Sequence, residues 1–200
     1  MAGHLQKKSS IRKKIFRKKL LLVVEFLVIF NLLSIPMYIV IFYNLSFESL
    51  QIFFTQLTEG FLKFMGYAVE RIGYFLTINY SGGSLQIEIS WDSTGWKSLY
   101  ALFALAVATP IKSLKSKAKF LTIGLPLIFV LNFLRIVTTI LVGLNYGLNY
   151  FDVVHTFLWR EGLIFAIVII WFAWLVRGKE SYNITKNKLI FKGIWPKRTI

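Results

Sequence analysis

The 200-residue chain contains no cysteine, two histidines, four prolines and only nine acidic residues. Without cysteine there is neither a disulfide nor a thiolate-bound metal, and the sequence carries no redox clue to compartment. His4 and His155 are too few for a histidine-rich metal site, so no metal and no cofactor is expected. Nine acids against 24 Lys and Arg leave a net charge of +15. Such a charge first suggests a nucleic-acid partner, but its distribution argues against one. Eight of the 24 basic residues lie within 1–20, four within 112–119 and seven within 177–198. Each cluster flanks an apolar run, and no aromatic or glycine pattern interrupts the basic stretches as an RNA-binding motif would.

Apolar residues are what the chain has in excess. Hydrophobic residues make up 56% and aromatic residues 17% of it, with a mean hydropathy of +0.62. That is too apolar for a soluble domain of this length. Runs long enough to cross a hydrocarbon core of roughly 30 Å recur along the chain. The expectation is one integral membrane domain over residues 1–200, an all-α bundle of about four to six transmembrane helices. Lys and Arg beside span ends mark the cytoplasmic side and attract anionic lipid headgroups. The basic segments 1–19 and 177–200 therefore predict cytoplasmic termini and a multi-pass protein of the cell membrane.

The first span is expected at about residues 20–43, with Glu25 near its inner end and Pro36 two-thirds along. It is too long for a signal-peptide core and no small-residue cleavage site follows, so it reads as a retained span. Around residues 49–78 the charges Glu48, Glu59, Lys63, Glu70 and Arg71 punctuate an aromatic and aliphatic stretch. Five charges are expensive in lipid, which favours an amphipathic helix or helical hairpin at the outer interface over one clean crossing. The turn signal Tyr80-Ser81-Gly82-Gly83-Ser84 separates residues 75–79 from Leu85-Gln86-Ile87-Glu88-Ile89-Ser90, which alternates with period two. These predict a short extracytoplasmic β-hairpin. Further spans are expected at about 96–111, extending towards 114, with Pro110 near the inner end, and then at 120–144 and 157–176. A short outer loop covers 145–154.

This topology brings three polar residues to the outer side. Ser93 precedes the second span and His155 precedes the last. Arg135 lies 15 residues into the third, roughly 22 Å above its inner boundary and in the outer third of the core. Each has a plainer reading beside the functional one. Ser93, ahead of Thr94 and Gly95, could cap the helix that follows. A lone Arg could snorkel to headgroups, but Asn132, Arg135 and Thr139 share one helical face, which points to an internal polar site. His155 could be an ordinary interfacial residue, and Asp92, Glu88, Asp152, Arg160 and Glu161 read mostly as solvated or paired charges.

Asp92-Ser93-Thr94-Gly95-Trp96-Lys97-Ser98, then Asn132-Phe133-Leu134-Arg135, then His155, resembles the Cys, Arg, His signature of the exosortase/archaeosortase family. The wording of the first motif looks most like the archaeal branch. The resemblance covers roughly residues 70–176, taken as the catalytic core. It implies a membrane transpeptidase that cuts C-terminal sorting signals, made of a short motif, a transmembrane helix and a basic tail, on the outer face. The new C-terminus would pass to a lipid amine. On that mapping position 93 carries the nucleophile, Arg135 stabilises the oxyanion and His155 is general base and acid. Asp92, Thr94, Gly95, Asn132 and Thr139 support them.

The departure is at position 93, which holds Ser where the family has Cys. A hydroxyl is a far weaker acid than a thiol of pKa about 8.5 and needs a closely placed base. Two explanations stand: a deliberate Cys→Ser change, or a natural serine variant that is active or degenerate. The otherwise intact motif favours the first, and the chain as written is expected to bind substrate and turn it over poorly or not at all. Two rival readings come from other classes. One is a non-catalytic scaffold or transporter subunit, in which Ser93, Arg135 and His155 lie apart or face different ways. The other is an intramembrane serine hydrolase, ranked lowest because no glycine stands two residues before Ser93.

Overall fold

The computed structural model describes residues 2–80, 82–147, 150 and 162–177, with side chains from residue 13 onward. Helix α1 (Ala2–Phe42) runs unbroken out of the basic N-terminal segment, whose Lys and Arg residues are good helix formers. Helix α4 (Leu114–Tyr146) is comparably long. Lys13–Phe42 and Leu114–Tyr146 are the two stretches, among the described residues, long and apolar enough to cross a membrane. Two shorter apolar helices accompany them, α3 (Trp96–Ala108) and α5 (Leu163–Arg177). The outward faces of these helices are aliphatic: Leu27, Leu32 and Ile39 on α1, Val130 and Leu134 on α4, and Ile169 on α5 are all exposed. Such side chains suit a lipid exterior.

Helix α3 stops earlier than the sequence predicts. Thr109 is extended at φ −70°, ψ 105°, because a residue before proline is pushed out of the helical region by the proline ring. Pro110 therefore lies beyond the helix, not within it. At 1.5 Å per residue α3 is about 20 Å long, shorter than a hydrocarbon core of roughly 30 Å.

The charged stretch after α1 contains the amphipathic helix expected from sequence, but its second half departs from the helical hairpin that was the alternative. It forms one amphipathic helix, α2 (Glu48–Phe64), and then strand β1 (Ala68–Ile72) in place of a second helix. Gln51, Phe54, Thr55, Thr58 and Leu62 make the buried stripe of α2. The helix ends in a Schellman arrangement. Gly66, at φ +90°, donates to the Lys63 carbonyl at 3.0 Å, and Tyr67 donates to Leu62 at 3.1 Å. That reversal sends the chain into β1. The expected hairpin is present as β2 (Phe75–Tyr80) and β3 (Gly83–Glu88), but β1 pairs with β2 and makes it a three-stranded antiparallel meander. One face of the sheet packs Val69, Leu76, Ile78 and Ile87 against Phe54 and Leu62 of α2 and Ile136 and Ile140 of α4. A second cluster, including Leu102, Phe120, Ile128 and Ile167, fills the space between α3, α4 and α5.

Polar ties fix how the helices run. The Tyr100 hydroxyl donates to the Leu33 carbonyl at 2.6 Å, joining α3 to α1. Lys117 Nζ donates to the Val107 carbonyl at 2.7 Å, and Trp171 Nε1 donates to Thr109 Oγ1 at 3.0 Å. Lys112, Lys117 and Arg177 thus gather at one end of the bundle, and residues 90–96 stand at the other.

Sheet and α2 are also joined through charge. Glu59 accepts from Lys63 Nζ at 2.7 Å and from Arg71 Nε at 2.8 Å. The Lys63 hydrogen bond, then that of Arg71, hold the Glu59 carboxyl below its ordinary range against an opposing effect of burial. A carboxyl depressed in the folded state adds stability above its unfolded pKa, and that stability is lost as pH falls through the folded value. Glu59→Gln is accordingly expected to lower stability at neutral pH and to leave it unchanged at pH well below 4. Melting curves of both proteins from pH 7 to pH 3 check this. Equal loss at both ends of the range would show that packing, not ionisation, is responsible.

Candidate active site

Residues Trp91–Thr94 form a 3-10 turn between β3 and α3. Its cap is Ser90, whose Oγ accepts from the Ser93 backbone N–H at 3.3 Å. Ser93 is therefore not the helix cap that its neighbours allowed. The residue that precedes α3 is Gly95, at φ +74°, which provides no side-chain cap. With the capping role taken by Ser90, the Ser93 hydroxyl is left for other contacts, and it lies 2.9 Å from Ser90 Oγ.

The turn is held from below by α4. Asn132 Nδ2 and Arg135 Nη2 both donate to the Ser93 carbonyl, at 3.1 and 2.9 Å. This explains Gly95. A Cβ there would stand 2.5 Å from the Asn132 side-chain carbon, and the positive φ disfavours any L side chain as well. Glycine lets the Asn132 amide come up against the backbone at the point where 3-10 turn passes into α-helix.

Asn132, Arg135 and Thr139 share the predicted face and are all buried. Thr139 Oγ1 donates to the Arg135 carbonyl at 2.8 Å and contributes no polar contact to Ser93. Arg135 is only 6% exposed, and none of the ion pairs among the described residues includes it. Its Nη1 has no hydrogen-bond partner among the described residues, and neither does Asn132 Oδ1. A cavity of about 40 Å³ adjoins both Ser93 and Arg135, with Ile87, Ile89, Ile136 and Ile140 in its wall. It has room for roughly one water-sized group. Glu88 and Thr139 also line this cavity, yet no carboxylate among the described residues comes within ion-pair distance of Arg135. A buried cation so placed, beside a small cavity and a hydroxyl, is equipped to bind a small anionic oxygen.

The flanking residues divide into structural and open groups. Thr94 is fully buried and donates to the Trp91 carbonyl at 2.7 Å, closing the turn. Asp92 pairs with Lys97 at 2.8 Å on the surface, where such pairs add little stability. Trp91 and Trp96 stack at 5.3 Å, and a wider pocket of about 330 Å³ opens between them and the chain after α1 at Asn44–Ser46. The Trp96 indole N–H is buried there without a partner among the described residues.

Ser93, Asn132 and Arg135 are thus brought together by the fold. His155, Asp152, Arg160 and Glu161 lie outside the described residues. Ser90 was missed from sequence, although Ser90-Trp91-Asp92-Ser93 has the spacing of a cap and its receiving N–H. Gln51 was missed as well. Its Nε2 donates to the Ile89 carbonyl at 3.2 Å and ties α2 to the end of the sheet that delivers Ser93. Nothing in the local sequence marks that long-range pair.

No match to a curated protein or to a solved structure was found. A family model described as transmembrane exosortase matches residues 15–175. That range takes in α1 from residue 15 onward and all of α2, as well as the stretch from residue 70 on which the resemblance rested. Together with the membrane-capable helices and the serine turn braced by a buried arginine, it means that the chain belongs to the transmembrane exosortase family.

Proposed function

We propose that this chain is a membrane transpeptidase that recognises C-terminal sorting signals, with position 93 as the nucleophile's place and Arg135 as the oxyanion donor. Family membership supports a membrane transpeptidase-like role. The observation that carries the finer reading is the buried Arg135 Nη1, without a hydrogen-bond partner among the described residues and beside the cavity that also touches Ser93. A tetrahedral intermediate formed by attack from position 93 carries its negative oxygen within a side chain's reach of that atom. A donor fixed before the reaction in a poorly hydrated site stabilises such charge strongly.

In the forward reaction the nucleophile at 93 attacks the scissile carbonyl and its proton passes to a base, assigned to His155. The amine leaves with a proton, and an acyl-enzyme remains. A lipid amine then attacks the acyl carbon and releases the nucleophile. The substrate is a membrane-anchored protein, and its motif reaches position 93 through the pocket beside Trp91 and Trp96. With Ser at 93 the hydroxyl has a 2.9 Å contact to Ser90 Oγ, a group too weakly basic to activate it. Binding is retained and turnover is impaired.

The test is Ser93→Cys, assayed for cleavage of a signal-bearing substrate in membranes. The Cys form is expected to cleave and the Ser form to accumulate uncleaved substrate. His155→Ala in the Cys background should abolish cleavage. If the Ser form cleaves, is labelled at Ser93 by a fluorophosphonate and outpaces the Cys form, the chain is a serine hydrolase and the impaired-nucleophile reading is wrong.

A further inference from the structure

At the end of the bundle opposite Ser93, a trough of about 590 Å³ lies between α4 and α5. Three cations line it: Lys112, Lys119 and Arg177. Lys119 and Arg177 are exposed, whereas Lys112 is buried with its ammonium 5.3 Å from the centre of the Trp174 ring. Ser116 adds a hydroxyl, and no carboxylate lines the trough among the described residues. Beyond this basic mouth the wall turns apolar. Ile123 and Leu127 of α4 stand exposed along it, and Phe120 stacked on Trp174 at 4.3 Å forms the adjoining aromatic surface. From Ser116 to Leu127 the trough follows three turns of helix, roughly 16 Å.

We infer that this trough is a binding site for an anionic phospholipid of the leaflet at the basic end. The phosphate is held between Lys119 and Arg177, and one acyl chain lies over Ile123 and Leu127. Both halves of the site are needed for this occupant. The apolar stretch is long enough for much of an acyl chain, and it continues directly from the cationic mouth. A free phosphate would use only the mouth. A second apolar helix would leave the cations facing hydrocarbon, and one with a basic tail would be repelled by them. Arg favours phosphate by presenting paired N–H donors, and the Lys ammonium adds a point charge. The inference depends on the chain lying in a membrane and not on the chemistry at position 93.

The purified full-length protein in non-ionic detergent can be titrated with phosphatidylglycerol, phosphatidylcholine or inorganic phosphate, following the melting temperature and lipid retention by native mass spectrometry. Phosphatidylglycerol is expected to bind and stabilise, and the other two are not. A basic residue near a charged headgroup contributes about 1 kcal/mol. Lys119→Ala with Arg177→Ala should therefore raise the half-saturating lipid concentration roughly thirtyfold, and Arg177→Ala alone about fivefold. Lys13→Ala with Lys14→Ala removes two exposed charges from the same end of the bundle and should change it less than twofold. Leu127→Trp, which fills the trough from an exposed position, should weaken lipid retention while the lipid-free melting temperature stays in place. Equal losses from the two double variants would mean diffuse surface charge and overturn the site. So would equal binding of phosphatidylcholine, stabilisation by phosphate alone, or a lipid-independent dimer that the trough variants dissociate.

Discussion

Arg135→Ala, made in the Ser93→Cys background, is expected to lower cleavage by about 10²–10³-fold, the loss typical when a preorganised oxyanion donor is removed. The same side chain also braces the turn, since Nη2 donates to the Ser93 carbonyl. A fall in activity alone would therefore not separate chemistry from scaffolding. Asn132→Ala makes the separation, because Asn132 donates to the same carbonyl but has no unpaired cationic N–H. If Arg135 acts only by holding the turn, the two alanine variants should lose comparable activity and melt at comparably lower temperatures. If it binds the oxyanion, Arg135→Ala should cut kcat much further than Asn132→Ala at similar stability. Arg135→Lys keeps the charge but loses the fork that reaches the carbonyl and the cavity together, so in the same background its activity should fall between those of the Ser93→Cys parent and the alanine variant. Full activity in Arg135→Ala would remove this residue from the reaction.

The second large effect is expected at Gly95. Gly95→Ala puts an L side chain at φ +74° and a Cβ 2.5 Å from Asn132 Cγ. The left-handed conformation costs about 1–2 kcal/mol and the overpacking about 1–3 kcal/mol. The total destabilisation is then about 2–5 kcal/mol, enough to unfold a large share of molecules or to displace the Asn132 amide from the Ser93 carbonyl. The two contributions differ in their response to Asn132→Ala. Removing the amide relieves the clash but leaves the backbone strain. Gly95→Ala with Asn132→Ala should therefore be more stable than the sum of the single changes predicts, by about 1–3 kcal/mol. Strict additivity in denaturant unfolding of the purified protein would show that Asn132 does not set the requirement for glycine.

Much of the candidate site was legible in sequence because helical periodicity is local. Asn132, Arg135 and Thr139 recur at three and four residues, which fixes their common face whatever the helix packs against. The alternation of residues 85–90 likewise marked a strand. The fate of Ser93 was not legible. Ser, Thr and Gly ahead of a helix suit a cap equally well, and only the 3-10 turn that assigns the cap to Ser90 releases the hydroxyl. In the stretch after α1 the amphipathic helix was legible but strand β1 was not, because the charges were weighed only as a problem for lipid, when Gly66 ends the helix and Glu59 pairs with Arg71 across α2 and β1. That ion pair spans 12 residues and has no periodic signature.

From the sequence alone came a membrane-embedded helical protein with its basic clusters beside its apolar runs, and a polar face on the helix that carries Arg135. Those properties follow from composition and from the repeat of the helix, and neither needs a partner segment. The tertiary structure decided which atoms of that face meet the 90–96 turn. Two donors from α4 converge on one carbonyl, a glycine makes room for them, and one guanidinium nitrogen is left over beside a small cavity. Contacts of that kind join positions about 40 residues apart, so their geometry depends on how α3 and the sheet pack against α4.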